Sequence, residues 1–127
     1  MRILMDTNVI IRSITGSLSK QGEDFIEDTS NALYYSSASI WELAVKHRIG
    51  KPRLPVEPRA IQRALDEKGC FELPITSRHA LTMGALAPVN EDPFDRMLIA
   101  QSIVEKLELI TTDSTLAGYA AGVMVID

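Results

Sequence analysis

The sequence is poor in cysteine and contains no long apolar run. Cys70 is the single cysteine, so an internal disulfide is excluded. No stretch is long enough for a membrane span, and the apolar start from Met1 to Met5 is too short for a signal peptide. These absences favour a reducing cytoplasm as the compartment. The length of 127 residues predicts one domain, residues 1–127, with a core that needs neither a disulfide nor a metal.

An excess of positive charge is also lacking. The formal net charge is −4, which argues against a protein that holds nucleic acid through bulk positive charge. A nuclease remains compatible with this balance, because carboxylates that bind a metal lower the net charge, but nucleic acid would then need a local basic patch. A glycine-rich phosphate loop is missing too, which excludes P-loop nucleotide hydrolysis.

What the chain does contain is an alternation of strand-like and helix-like segments. Segments rich in β-formers predict strands at 2–5, 32–35, 71–75, 109–111 and 123–126. Apolar spacing and capping residues predict helices from 9, at 20–28, 40–49, 59–68 and 76–86, from 93, and at 116–121. This order predicts an α/β fold, a mostly parallel sheet of about five strands with helices on both faces.

Four carboxylates are expected at one edge of that sheet. Asp6 directly follows the first predicted strand and Asp113 comes after the fourth, while Glu42 and Asp95 are placed in first helical turns. In a parallel sheet the strand ends and helix starts share an edge, which is where ligands bind. Taken singly, each acid has a structural explanation. Asp6 and Asp113 could be N-caps, and Asp95 lies near the positive end of a helix behind the capping Asp92.

Glu42 has two structural explanations of its own. It could complete a capping box with Ser39, or it could pair with Lys46 four residues on. Four acids together fit capping poorly, because like charges in one cleft repel unless a cation lies among them. Oxygen ligands suit Mg²⁺ or Mn²⁺. Zinc is disfavoured, because the spacing of His47, His79 and Cys70 is not that of zinc ligands.

Magnesium held by carboxylates stabilises charge on a phosphodiester and activates a nucleophilic water. Because no phosphate loop is present, the phosphate is expected to belong to a nucleic-acid backbone.

Several segments together show a resemblance that covers nearly the whole chain. Asp6-Thr7-Asn8, the segment from Ser39 to Lys46, Leu73-Pro74-Ile75-Thr76, the segment from Asp92 to Gln101 and Thr112-Asp113 closely resemble PIN-domain ribonucleases. More narrowly, the chain resembles the toxin of VapBC-type toxin–antitoxin modules.

The resemblance implies several properties of the chain. It implies the strand order 3-2-1-4-5 and a Mg²⁺-dependent cleavage of RNA, with Mn²⁺ as a possible substitute. It implies that the catalytic and metal-binding residues are Asp6, Glu42, Asp95 and Asp113. It also implies a small antitoxin as partner and a homodimer. The chain begins with the first predicted strand and ends with the last, so no tail is expected to cover the site. We therefore expect the antitoxin to inhibit the ribonuclease. Asn90 is a departure, because relatives often have histidine there.

Other residues around the expected site have supporting roles or local ones. Thr7, Asn8, Thr112 and Ser114 could orient carboxylates or waters, or could simply cap turns. The residues that could contact the RNA backbone are Lys46, Arg48, Lys51, Arg53 and Arg96, although a solvated helix end is the simpler interpretation of the first four. Trp41 is expected in the core or at a dimer interface.

Two alternatives remain open. A PIN fold could bind RNA or a partner without cleaving, and the four intact acids argue against this. A receiver-like phosphoacceptor domain has a similar acidic Mg²⁺ pocket but needs a lysine at the end of its last strand, where this chain has Asp127. The receiver is therefore the less favoured of the two.

Overall fold

The protein folds around a five-stranded sheet, seen in a computed structural model that describes residues 1–50, 53–87, 91–117 and 122–127. The spatial order of the strands is β3-β2-β1-β4-β5, and every pair is parallel, as expected. The strands are β1 Arg2–Met5, β2 Ala32–Ser36, β3 Phe71–Leu73, β4 Glu108–Thr111 and β5 Val123–Val125.

Six α-helices connect and cover the strands within the described residues. They are α1 Thr7–Thr15, α2 Lys20–Glu27, α3 Ser37–Ile49, α4 Pro58–Glu67, α5 Ser77–Ala85 and α6 Pro93–Glu105. A single 3-10 turn, Ser114–Leu116, follows β4. None of the helices in the described part of the chain is long and apolar enough to cross a membrane.

The helix boundaries are within about two residues of the predictions, and two places depart further. Helix α3 begins at Ser37 and not at Ile40, because the Ser36 side chain accepts a hydrogen bond from the N–H of Ala38 and so caps the helix three residues earlier. Where a helix was predicted at 116–121, the structure has the 3-10 turn Ser114–Leu116. Residues 118–121 lie outside the described part of the chain.

The central strand β1 has a core on each of its faces. Ile3 and Met5 are buried in one apolar cluster, and Leu4 is buried in a second. Successive side chains of a strand point to opposite faces, so β1 needs helices on both sides. Tyr35 is also fully buried. This enclosure fixes the end of β1, and therefore the position of the residue that follows it, Asp6.

Candidate active site

Asp6 lies where the buried strand β1 ends. Its N–H donates to the carbonyl of Ile110 at 2.9 Å, so its backbone continues the β1–β4 ladder. Asp6 occupies the N-cap position of α1, yet its side chain makes no capping bond. Its Oδ2 instead accepts a hydrogen bond of 2.6 Å from the hydroxyl of Thr111. Capping therefore does not explain the presence of this acid.

The environment of Asp6 is unfavourable for a negative charge. The residue is 4% exposed. Burial raises its pKa above the ordinary value, the hydrogen bond from Thr111 opposes that rise, and the charges of Glu42 and Asp113 add to it. Two of the other three predicted acids, Glu42 and Asp113, are thus within electrostatic reach of Asp6.

Glu42 reaches this site from the second turn of α3. The prediction that it lies in the first turn is wrong, because the helix begins at Ser37. The capping box of Ser39 with Glu42 is wrong for the same reason, since both residues lie inside the helix. The pairing with Lys46 is confirmed, because its Nζ donates to Oε2 of Glu42. Glu42 is buried nonetheless, which is unusual for a carboxylate.

Asp113 is placed at the end of β4 and caps the 3-10 turn that follows. Its Oδ1 accepts from the N–H of Thr115 at 2.9 Å and from the Thr115 hydroxyl at 2.7 Å. These bonds to the charged form lower its pKa. The capping explanation therefore holds for Asp113, but capping is not the whole of its environment, because its charge also bears on Asp6.

Asp95 lies in the first turn of α6, as expected. The side chain of Asp92 caps this helix by accepting from the N–H groups of Phe94 and Asp95 at 2.9 and 3.3 Å. Pro93 occupies the first helical turn, where its missing N–H costs nothing. The sequence features that start the helix thus fix the position of Asp95, which is half-buried.

The donor chemistry of these residues suits a hard cation, although their present arrangement is not a finished site. Within the described residues, no three His, Cys, Asp or Glu side chains are arranged to hold a metal ion. Carboxylate oxygens are nevertheless the ligands that Mg²⁺ prefers. A cation of the chain itself, the Lys46 ammonium, already lies against Glu42. The chemistry of these residues fits a divalent cation, for which Glu42 would have to exchange this partner.

A family model for the PIN domain matches residues 3–122. The chain belongs to the PIN domain family. No curated protein matches it by sequence.

Several solved structures share the fold of this PIN domain. A chain of a toxin–antitoxin complex from Klebsiella pneumoniae matches with a TM-score of 0.69 and 23% identity, over 97% of this chain and 96% of that one. DNA-bound VapBC from Salmonella typhimurium gives 0.70 and 18%, over 100% and 98% of the two chains. VapBC2 from Rickettsia felis, bound to a DNA fragment from its promoter, gives 0.68 and 16%, over the whole of both chains. At these identities the likeness is one of fold.

The polar residues that support the acids of the PIN domain are only partly those expected. Thr7 is buried and donates from its hydroxyl to the Ser39 hydroxyl at 2.8 Å, which ties α1 to α3. Asn8 and Ser114 are exposed, and Thr112 is half-buried. The sequence pattern did not indicate Thr111, although it is the residue that bonds Asp6. The register explains this, because Met5 lies opposite Ile110, so Asp6 faces the next residue, Thr111.

The basic residues predicted to contact RNA lie in different environments. Lys46 pairs with Glu42, whereas Arg48 and Arg53 are exposed. Lys51 and Asn90 lie outside the described residues. Arg96 donates to the carbonyls of Met83, Leu86 and Ala87, at 2.9, 3.1 and 3.0 Å, and so holds the C-terminal end of α5. Its guanidinium therefore has a structural role, and its contact with RNA stays a prediction.

Trp41 is not a core residue, which corrects one of the two expectations for it. Its side chain is 55% exposed on α3, next to Glu42. The indole packs edge-on against the ring of Phe94, with centroids 4.9 Å apart and an interplanar angle of 76°. This contact joins the site-bearing parts of α3 and α6, and it leaves much of the indole surface uncovered in the single chain.

Proposed function

We propose that this PIN domain is a cytoplasmic, Mg²⁺-dependent endoribonuclease that acts as the toxin of a toxin–antitoxin pair. The observation that carries the proposal is the buried carboxylate of Asp6, with the charges of Glu42 and Asp113 acting on it. Such a group destabilises the metal-free protein, so its presence is best explained by a cation that it binds. Membership of the PIN family supports the same activity.

The metal would be held by carboxylates at the end of the sheet, namely those of Asp6, Glu42, Asp95 and Asp113. When bound, Mg²⁺ or Mn²⁺ supplies Lewis-acid stabilisation of the scissile phosphate and activation of water. The chain supplies orientation. The Thr111 hydroxyl fixes the carboxylate of Asp6, and burial limits the competing hydration of Asp6 and Glu42.

RNA is the proposed substrate, and the residues beyond Glu42 on α3 are its proposed contacts. Lys46, Arg48, Lys51 and Arg53 follow Glu42 within eleven residues of sequence. Arg48 and Arg53 are exposed, so they are available to a phosphate backbone. A basic group that starts on the helix carrying an active-site acid can place the backbone beside the carboxylates.

The proposed protein partner is a small antitoxin. The similar solved structures include toxin–antitoxin complexes, which supports this choice. A pocket of carboxylates is a ready receptor for an arginine, which can bind carboxylates bidentately and exclude a metal. We propose that an antitoxin arginine sets the register at the acidic edge, while an apolar surface beside it provides most of the affinity.

A homodimer is also proposed, through the exposed face of α3. Trp41 is 55% exposed and Ile49 is 64% exposed. They lie eight residues apart, so they share one face of the helix. A self-complementary contact of this kind is what a two-fold dimer requires.

Cleavage assays on RNA, with Mg²⁺ and with EDTA, test the nuclease activity. We expect cleavage that stops on chelation and that falls at least about tenfold in Asp6→Asn and Asp95→Asn, or about 1.4 kcal/mol in the barrier. Asp24→Asn is the matched control, because it removes an exposed acid that pairs with Lys20 on α2, outside the site. Undiminished cleavage by both site variants contradicts the site assignment. RNA that is bound but never cut, in Mg²⁺ or Mn²⁺, favours a PIN-fold binding protein.

Co-expression with the neighbouring reading frame tests the antitoxin separately. We expect its product to co-purify with this protein and to suppress RNA cleavage. If it does neither, the toxin–antitoxin assignment fails, while the nuclease assignment can still stand on the cleavage assay.

A further inference from the structure

We propose that Lys46 is a built-in cation that occupies Glu42 in the metal-free protein and competes with the divalent metal for that carboxylate. The inference rests on the proposed function, because it concerns the same site. It assigns Lys46 a positioning role, in which it acts on the metal through Glu42.

The Lys46–Glu42 pair joins an enclosed carboxylate to a partly exposed ammonium. The Lys46 ammonium bonds Oε2 of Glu42 one helical turn away on α3. The side chain of Glu42 is 7% exposed and that of Lys46 is 35% exposed, so the acid is enclosed while the lysine extends toward solvent. The ammonium therefore pairs with an enclosed carboxylate while its own side chain stays in contact with water.

Glu42 needs a positive partner whether or not metal is present. An enclosed carboxylate without a partner is costly, and here the neighbouring Asp6 carboxylate adds repulsion. In the metal-free protein, the partner that the structure provides is Lys46. A divalent cation would serve the same need with a greater charge, so lysine and metal are alternatives at the same oxygen.

A second Lys–carboxylate pair shows that spacing alone does not produce this arrangement. Lys20 and Asp24 on α2 are also four residues apart, with Nζ 3.1 Å from Oδ1. Their side chains are 89% and 61% exposed, so water and salt screen the pair and it contributes little. The enclosed Glu42 is screened less. Its pairing with Lys46 therefore affects what else can bind there.

The lysine is suited to reversible occupancy. Its ammonium is a single charge on a flexible four-carbon stem, and it does not grip a carboxylate bidentately as arginine does. It can leave Glu42 by rotation of the side chain, without a change in the helix. Lys46 would thus neutralise Glu42 in the metal-free protein and would withdraw when the metal arrives.

Titration calorimetry with Mn²⁺ at constant pH and ionic strength tests the competition. The three proteins are the wild type, Lys46→Met and the matched control Lys20→Met, which makes the same change in net charge by breaking the exposed pair. We expect Lys46→Met to bind Mn²⁺ about twofold to tenfold more tightly than the wild type, the range that removal of a partly exposed competing pair allows. Lys20→Met should stay within about twofold of the wild type.

Thermal melts supply the second measurement. Without metal, Lys46→Met should melt below the wild type, because Glu42 then has no cationic partner, and saturating Mn²⁺ should remove the difference. Equal or weaker Mn²⁺ binding by Lys46→Met overturns the inference alone, and leaves the metal site intact. Absence of Mn²⁺ binding by all three proteins overturns the proposed function and the inference together. Binding by Lys46→Met with none by the wild type supports both.

Discussion

The hydroxyl of Thr111 donates to Oδ2 of Asp6 at 2.6 Å. The Thr111 hydroxyl oxygen also accepts from the backbone N–H of Asp113 at 3.0 Å. One side chain at the end of β4 thus connects two of the four acids, which follow the neighbouring strands β1 and β4. Because Thr111 is fully buried, this connection is held by the core and is independent of the surface.

Replacement of Thr111 by valine should therefore impair the site and also lower the stability of the fold. Thr111→Val keeps the shape of the side chain and removes the hydrogen bond to Asp6. Loss of a hydrogen bond to a charged group lowers the free energy of unfolding by about 1.5–3 kcal/mol. We expect RNA cleavage to fall about tenfold as Asp6 loses its orientation. Thr111→Ser keeps the hydroxyl and should retain most of the activity. Equal losses in the two variants would attribute the effect to packing.

The pKa of Asp6 makes a second prediction, about pH. Burial raises that pKa above the ordinary value of 3.8, so ionisation of Asp6 opposes folding. Below the unfolded value the group is protonated in both states and costs nothing. Stability is lost as the pH rises through the folded pKa. Asp6→Asn cannot ionise, so in EDTA its free energy of unfolding should improve relative to the wild type as the pH rises.

Urea unfolding of both proteins, from about pH 4 to about pH 7, measures the difference curve. The comparison with Asp6→Asn is needed because other acids act in the opposite direction. Asp113, for example, has a lowered pKa and contributes stability that increases with pH. Parallel curves for the two proteins would show that Asp6 is not destabilised by its surroundings.

The sequence predicted the sheet well because its signals are local. The β-formers of β1 and β4, the capping of α6 by Asp92 and the glycine that ends α3 each act within a few residues. Strand order followed from the family resemblance. The predictions that were wrong depended on the register between strands and on which of several serines caps a helix. The sequence predicts Thr112 and not Thr111 beside the acids, because the register of β1 against β4 cannot be deduced from the residues of either strand. It predicts Ser39 as the N-cap of α3, whereas Ser36 caps the helix.

RNA binding by the basic residues that begin on α3 should appear as salt dependence. The variant replaces with glutamine the four residues Lys46, Arg48, Lys51 and Arg53. The slope of log K against log salt is negative, and it should become shallower by about 0.7, the value for single strands, for each phosphate that the variant no longer neutralises. The control makes the same charge change at exposed positions on or beside α2 and α4, namely Lys20, Arg59, Arg63 and Lys68. The same slope in both variants would return the first four residues to the role of a solvated helix end.

His79 should be important for stability and unimportant for cleavage. It is completely buried, its Nδ1 accepts from the N–H of Thr76 at 3.0 Å, and its Nε2 lies 2.8 Å from Oε2 of Glu105. The bond at Nδ1 places the proton on Nε2, which donates to Glu105. His79→Leu should lower the free energy of unfolding by about 2–3 kcal/mol, because it removes the His79 half of the capping box that Thr76 begins at the start of α5, together with the partly buried hydrogen bond to Glu105. Urea denaturation measures the loss. Glu105→Gln keeps an acceptor and should lose less, while cleavage well below the melting temperature should be unchanged in both.

The dimer prediction depends on the uncovered face of α3. Trp41 and Ile49 are more exposed than residues of their size usually are, and Phe94 covers Trp41 on one edge only. If this face joins two copies, Trp41→Glu should place a charge in an apolar contact and shift the protein to monomer in sedimentation measurements. Removal of an aromatic residue at the centre of an interface commonly costs about 2 kcal/mol or more, about thirtyfold in the dissociation constant.

Phe71→Glu is the matched control, since Phe71 is equally exposed but lies on the edge strand β3. A wild type that is monomeric, or a Trp41→Glu variant that stays dimeric, would contradict an interface on α3. Because Trp41 adjoins Glu42, a dimer through this face would bring the two acidic sites close to their common axis.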